Sequence, residues 1–147
     1  MLPCEGYSTP RRYGLPVSYS RLAVEIVRRY MHLKPPRGRA WLPEAPASLL
    51  HGDLWSGNVL ITTRGPALID PAVYRHYSDV DIAMLTLFGS PGSGFFDAYW
   101  EGNAPPDWSR REALFQLCPL LNHLLLFGAT YRTDIEQRVA ILETYAQ

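Results

Sequence analysis

The sequence predicts a mainly α-helical domain carrying one small β-hairpin, an α+β arrangement. Three observations lead there. Two short apolar runs, Val59-Leu60-Ile61-Thr62 and Ala67-Leu68-Ile69, flank the turn-like Thr63-Arg64-Gly65-Pro66 and read as paired strands. Most of the remaining chain shows apolar residues at helical spacing behind Ser or Thr start signals. A length of 147 residues is that of one domain, enough to bury a core.

In chain order, Met1 to Tyr19 holds Pro3, Pro10 and Pro16 with Gly6 and Gly14, and is expected to be an irregular arm; residues 20–147 form the folded lobe. Leu22, Ala23, Ile26, Val27, Tyr30 and Met31 recur at helical spacing and predict an amphipathic helix from Ser20 to about Leu33. Pro35 to Pro46 is a proline-rich connector in which Trp41 is a candidate anchor. A loop at 51–58 leads into the hairpin at 58–70. With the turn centred near Arg64 and Gly65, Val59 is expected opposite Asp70, which brings Asn58 and Asp70 together at the open mouth.

The helical remainder spans 79–147. Asp79 to Phe88 predicts a helix that the Gly89-Ser90-Pro91-Gly92-Ser93-Gly94 run ends. That run lacks the preceding strand and following Lys-Ser or Lys-Thr of a phosphate loop, so it is read as a linker. Phe95 to Glu101 is a short aromatic helix. Ser109-Arg110-Arg111-Glu112 has the pattern of a capping box and starts a long helix carrying Leu114, Leu117, Leu121, Leu124 and Leu125, with a kink expected at Pro119. Thr133-Asp134-Ile135-Glu136 has the same pattern ahead of the last helix, with Ile135, Val139 and Leu142.

Composition narrows the function classes. Fourteen basic residues balance fourteen acidic ones, so no basic field points to nucleic acid or an anionic membrane. The longest apolar stretch, Leu120 to Phe127, is broken by Asn122 and His123 and is too short to span a bilayer. No secretory signal is visible at Met1 to Thr9. Cys4 and Cys118 lie far apart without metal-ligand spacing and are expected to be free thiols in a cytoplasmic protein.

The chemistry concentrates in His51-Gly52-Asp53-Leu54-Trp55-Ser56-Gly57-Asn58 and Ile69-Asp70-Pro71. Asp53 and Asn58 are five residues apart, the spacing of a kinase catalytic loop, in which the Asp accepts the substrate hydroxyl proton and the Asn holds a metal ion. A hard cation such as Mg²⁺ takes oxygen ligands, often one or two from protein and the rest from phosphate and water, and Asn58 with Asp70 would supply the protein share. Taken singly, Asp53 and Asn58 also suit a loop-ordering role. His51-x-Asp53 is also half of an Fe(II) or Zn site that His76 or His123 would complete, although such sites usually sit in many-stranded barrels.

These segments, with Asp70-Pro71-Ala72-Val73-Tyr74, Ser78-Asp79-Val80-Asp81-Ile82-Ala83-Met84 and Leu121-Asn122-His123-Leu124 to Phe127-Gly128, resemble the fructosamine (ketosamine) kinase family from about Leu49 to about Tyr131. That family shares the protein-kinase-like fold of aminoglycoside and choline phosphotransferases. The resemblance implies a C-terminal kinase lobe and ATP-dependent phosphorylation of a sugar hydroxyl on a ketoamine, a glycated small amine or lysine side chain, in the service of protein deglycation. It implies Asp53 as base, Asn58 and Asp70 as Mg²⁺ ligands, and His51 and Asp81 as loop-ordering residues. Ser78 to Asp81 also has a capping-box pattern, so Asp81 as a plain helix-start residue stays open.

Trp55 and His123 are substrate-binding candidates; for each, ordinary packing is the competing reading. The family also implies a nucleotide lobe upstream. The residues before His51 contain Lys34 alone among lysines, followed by Pro35 and Pro36, and no Gly-rich loop. The chain is therefore expected to be the catalytic lobe without its nucleotide lobe, and a non-catalytic module is the alternative. The oligomeric state is not readable from the sequence.

Overall fold

The computed structural model describes residues 42–146. The expected arm at 1–19, the helix at 20–33, Lys34, Trp41 and Cys4 lie outside them. The described chain divides at Gln116/Leu117 into two compact units.

Among the described residues, the unit Leu42–Gln116 holds all the strands. β1 (Ser48–Leu50) pairs antiparallel with β4 (Tyr74–His76), Leu50 facing Tyr74 and Ser48 facing His76. This pair was not expected from the sequence, because runs of three residues are too short to display a period. Between its strands the chain makes a 3₁₀ turn, Ser56–Asn58, and the hairpin of β2 (Val59–Thr62) and β3 (Gly65–Leu68).

The hairpin forms, but its register differs from expectation. Val59 faces Leu68 and Thr62 faces Gly65, so the turn is the two-residue Thr63-Arg64. The Thr62 hydroxyl closes it, donating to the Gly65 carbonyl at 2.7 Å and accepting from the Arg64 amide at 3.2 Å. That local closure places the reversal one residue earlier than composition alone indicates, and Val59 does not meet Asp70.

α1 (Asp79–Leu87) buries Ile82, Ala83, Met84 and Leu85 in succession, so it is enclosed around most of its girth rather than along one stripe. α2 (Ser93–Tyr99) starts two residues before the expected Phe95, taking in Ser93 and Gly94 from the expected linker, and stops two short of Glu101; α3 (Trp108–Phe127) begins in this unit. Gln116, almost wholly buried, donates to the Ala83 carbonyl and the Thr86 hydroxyl, both at 2.9 Å. Arg111 reaches Asp79 at 3.2 Å and Asp107 at 2.9 Å. These polar ties fix α1 against α3 where apolar contact alone would allow sliding.

In the unit that begins at Leu117, α3 buries Leu117, Leu120 and Leu124, and α4 (Arg132–Thr144) buries Ile135, Val139 and Leu142. Both sets recur three and four residues apart, the signature of one helical face. Gly128, at φ +91°, stops α3 as its amide bonds back to the Leu124 carbonyl at 3.0 Å. A 3₁₀ turn, Ala129–Tyr131, leads into α4.

The capping boxes expected at three helix starts do not form. Ser78 makes no side-chain cap bond, and Ser109 and Thr133 fall inside helices that begin one residue earlier. Their acidic partners are used elsewhere: Glu112 accepts the Thr86 hydroxyl at 2.6 Å, and Glu136 pairs with Arg132 at 2.7 Å. Cys118, expected to be a free thiol, is disulfide-bonded. Among the described residues no helix is long and apolar enough to cross a membrane.

Candidate active site

β1 delivers buried Leu50 to the start of the loop, and the next two amides are captured at once. The His51 N–H donates to Asp81 Oδ2 at 2.7 Å and the Gly52 N–H to Asp81 Oδ1 at 2.9 Å. Asp81 stands in the first turn of α1, so the helix is aimed at the loop through one carboxylate. A charged acceptor makes such bonds stronger than neutral ones. The structure thus gives Asp81 a loop contact, while the capping-box alternative fails with Ser78.

Gly52 has φ +82°, and a Cβ there would lie 2.5 Å from the Tyr74 ring. Only glycine meets both the left-handed backbone and the close approach of β4. His51 ties the loop to the far side of the hairpin. Its Nε2 lies 2.9 Å from the Ile69 carbonyl, which makes Nε2 the protonated nitrogen. Its own carbonyl accepts the Ala72 and Val73 amides at 2.8 and 3.1 Å.

The end of the loop folds back on its beginning. Asn58, buried at the close of the 3₁₀ turn, donates its side-chain amide to the Asp53 carbonyl at 2.8 Å and to Asp53 Oδ2 at 3.0 Å. With both amide hydrogens committed to Asp53, the carboxamide oxygen is the atom left to take a hard cation. Only one of the two Asp53 carboxylate oxygens, Oδ2, is engaged by Asn58. The five-residue spacing is therefore a closed ring, not only a pattern.

The Asn58 carbonyl accepts the Ile69 amide at 3.0 Å, so the ladder brings Ile69, not Asp70, to Asn58. Asp70 is the next residue, exposed, with φ +51°; Val73 has φ +38°. Two left-handed non-glycine residues within four, one of them β-branched, mark a strained exit from the hairpin, and such strain collects at functional sites.

Trp55 is 38% exposed, its ring set edge-on to Phe88 with centroids 6.5 Å apart. The ring also lies over Gly57, where an added Cβ would come within 2.3 Å of it. His123 belongs to the other unit, in α3, where Nδ1 donates to the Pro119 carbonyl at 2.7 Å and the ring contacts Phe127 and Tyr131. The structure thus gathers His51, Asp53, Asn58 and Asp81, with Asp70 one residue beyond.

Sequence reasoning missed the β1 and β4 pairing, Tyr74 against Gly52, and the Asp79, Arg111 and Asp107 cluster behind the helix start. Long-range polarity left no local signal for them. In that cluster, burial alone would raise the Asp107 carboxyl, but the hydrogen bond from Arg111 and the charges of Arg111 and Arg110 overrule it and hold it below the usual carboxylate value. Burial likewise disfavours the Arg111 cation, and Asp107 and Asp79 more than compensate, leaving it raised.

The iron or zinc reading gains no support from the geometry. Among the described residues no group of three His, Cys, Asp or Glu side chains is gathered for a metal, and His51 Nε2 is spent on a backbone carbonyl.

Comparison with known proteins accounts for this arrangement. A largely helical fold with small antiparallel sheets, carrying this loop, is kinase-like: it superposes on the crystal structure of a Thermobifida fusca protein provisionally assigned as a fructosamine-3-kinase, with TM-score 0.63 and 39% identity over 88% of this chain and 43% of that one. The sequence profile described as fructosamine kinase matches residues 39–144, and the chain belongs to that family, whose members are phosphotransferases. The ketosamine-3-kinase of Mus musculus is 41% identical over 91 residues, which is 60% of this chain and 29% of the mouse protein. A Lactiplantibacillus plantarum protein provisionally assigned as a ketoamine kinase is 39% identical over 122 residues, 81% of this chain and 40% of that protein. The chain thus spans two fifths or less of the length of these two relatives.

Proposed function

We propose that this chain supplies the catalytic lobe of a kinase that transfers the γ-phosphoryl group of ATP to a sugar hydroxyl of a ketoamine. The observation that carries the reading is the closed loop: Asn58 holds Asp53 by two hydrogen bonds while Asp81 holds the two amides at the loop's start. A base must be within hydrogen-bond reach of the hydroxyl it deprotonates and must not wander. Asp53 accepts that proton as the hydroxyl oxygen attacks phosphorus and ADP departs.

Asn58, through its carboxamide oxygen, and Asp70, through its carboxylate, would hold Mg²⁺ together with the nucleotide's phosphates. When bound, the cation offsets the charge that builds on the transferring group. A pair of protein oxygens without a dedicated cage suits Mg²⁺, which keeps several waters and leans on substrate phosphate. His51 and Asp81 act as positioning residues. Trp55, a half-exposed ring braced by Phe88 and Gly57, offers a flat apolar surface for the sugar or its amine.

The substrate class comes from the relatives named as ketosamine and ketoamine kinases. A second reading follows from how little of those relatives the chain spans: alone, it is a folded module with feeble nucleotide binding. Titrating the chain with ATP and Mg²⁺, by itself and joined to an upstream nucleotide lobe, separates the two. Binding and phosphorylation of a ketoamine only in the joined form support the catalytic-lobe reading. Phosphorylation absent from the joined form leaves the non-catalytic module.

A further inference from the structure

The unit Leu42–Gln116 contains a second feature that the phosphotransfer chemistry does not use. Between α1, α2 and the start of α3 lies an open cavity of about 490 Å³, walled by Phe96, Trp100 and Trp108 on one hand and by Thr86, Asp97 and Glu112 on the other. That volume is in the range of small-molecule sites. Among the described residues no lysine or arginine lines it.

Its charges are uncompensated. Among the described residues neither Asp97 nor Glu112 enters an ion pair; Glu112 has only a neutral partner, the Thr86 hydroxyl at 2.6 Å. Thr86 is itself held by the buried amide of Gln116 at 2.9 Å. A relay of Gln116, Thr86 and Glu112 therefore fixes one carboxylate oxygen at the wall and keeps the carboxylate from swinging away. The aromatic wall is equally ordered, with Phe96 stacked on Trp100 at 5.2 Å and Trp100 against the edge of Trp108 at 5.0 Å.

Ring faces and carboxylates attract the same kind of ligand. Aromatic faces draw a cation within about 6 Å of the ring centre, and indole does so best. An apolar ligand would leave the half-buried Glu112 carboxylate to be desolvated without recompense, and an anion would be repelled by Glu112 and Asp97 alike. We propose that this cavity binds an alkylammonium group, the stem of the ligand lying along Phe96 and Trp100 and its charge meeting Glu112 and Asp97. The ligand is a free small amine or a lysine side chain of a protein.

The test is calorimetric titration of the 147-residue chain, at constant ionic strength, with n-butylammonium, with n-butanol as the uncharged match, and with a capped glycine-lysine-glycine peptide and its Nζ-acetylated form. Saturable binding of the ammonium ligands with none of n-butanol or the acetylated peptide is expected. Glu112→Gln preserves an acceptor for Thr86 and the packing, so it separates charge from fold; it is expected to weaken binding about tenfold or more, and Trp100→Leu to a similar degree. Asp97→Asn, at an exposed position, is expected to weaken it about threefold without touching stability. A peptide that binds tighter than n-butylammonium identifies protein lysine as the source, and the reverse order identifies a free amine. Equal binding of n-butanol, or unchanged affinity in Glu112→Gln and Asp97→Asn together, overturns the proposal.

Discussion

Asn58 gives both side-chain amide hydrogens to Asp53, one to its carbonyl at 2.8 Å and one to its carboxylate at 3.0 Å. This ring fixes the direction of the proposed base before any substrate arrives, and it leaves the carboxamide oxygen as the atom proposed to meet the cation. Preorganisation of this kind matters because misplacing a reacting group by about 1 Å can cost on the order of 100-fold in rate.

Asp81 should be worth more to the loop than to its helix. Asp81→Ala leaves the His51 and Gly52 amides without their acceptor, so a loss of about 2 to 3 kcal/mol is expected in urea unfolding. Turnover of the nucleotide-complemented enzyme should also fall on the order of 100-fold, because the loop loses its anchor. A variant that keeps wild-type turnover would reduce Asp81 to a helix-start residue.

Gly52→Ala combines two penalties. A left-handed backbone costs an L-residue about 1 to 2 kcal/mol, and the new methyl group meets the Tyr74 ring. The second penalty is separable: Tyr74→Ala should recover part of the loss when added to Gly52→Ala, and a double-mutant cycle in urea reads the coupling. Strict additivity of the two changes would mean that backbone strain alone dictates glycine there.

Acid should unfold the protein partly through Asp107. Its carboxyl lies below the ordinary value of 3.8 when folded. A depressed carboxyl contributes stability that is fully present above its unfolded value and is lost as pH falls through its folded value. The urea midpoint of the wild type should therefore drop as pH falls below ~4, whereas Asp107→Asn should start less stable and show a shallower drop. Parallel profiles would remove Asp107 from the account.

Asp70→Ala should weaken Mg²⁺-dependent nucleotide binding by about tenfold or more while leaving metal-free binding unchanged. Competition titrations with and without Mg²⁺ in the complemented enzyme measure the difference. Equal losses in both conditions would mean that Asp70 shapes the loop and does not hold the cation.

The legible parts of this protein were those with local signals. The candidate loop could be picked out because Asp53 and Asn58 lie five residues apart and meet, and the hairpin because β-branched runs flank a turn. Its register could not, because the Thr62 hydroxyl closes a two-residue turn that composition does not distinguish from its neighbours. The pairing of β1 with β4 depends on partners more than twenty residues apart, and three-residue strands have no visible period. Serine and threonine capping patterns misled at three helix starts because Asp81 and Glu112 found partners across space, at the His51 and Gly52 amides and the Thr86 hydroxyl, while Glu136 paired with Arg132 one turn back on its own helix.

The central claim is that Asp53 is the base, and Asp53→Asn tests it with almost no change of shape. Phosphoryl transfer to a ketoamine should be measured under single-turnover conditions in the nucleotide-complemented enzyme, beside nucleotide affinity. A fall of about 10² to 10⁴-fold in the transfer rate with affinity unchanged is the predicted result; a rate within about twofold of wild type would contradict the account.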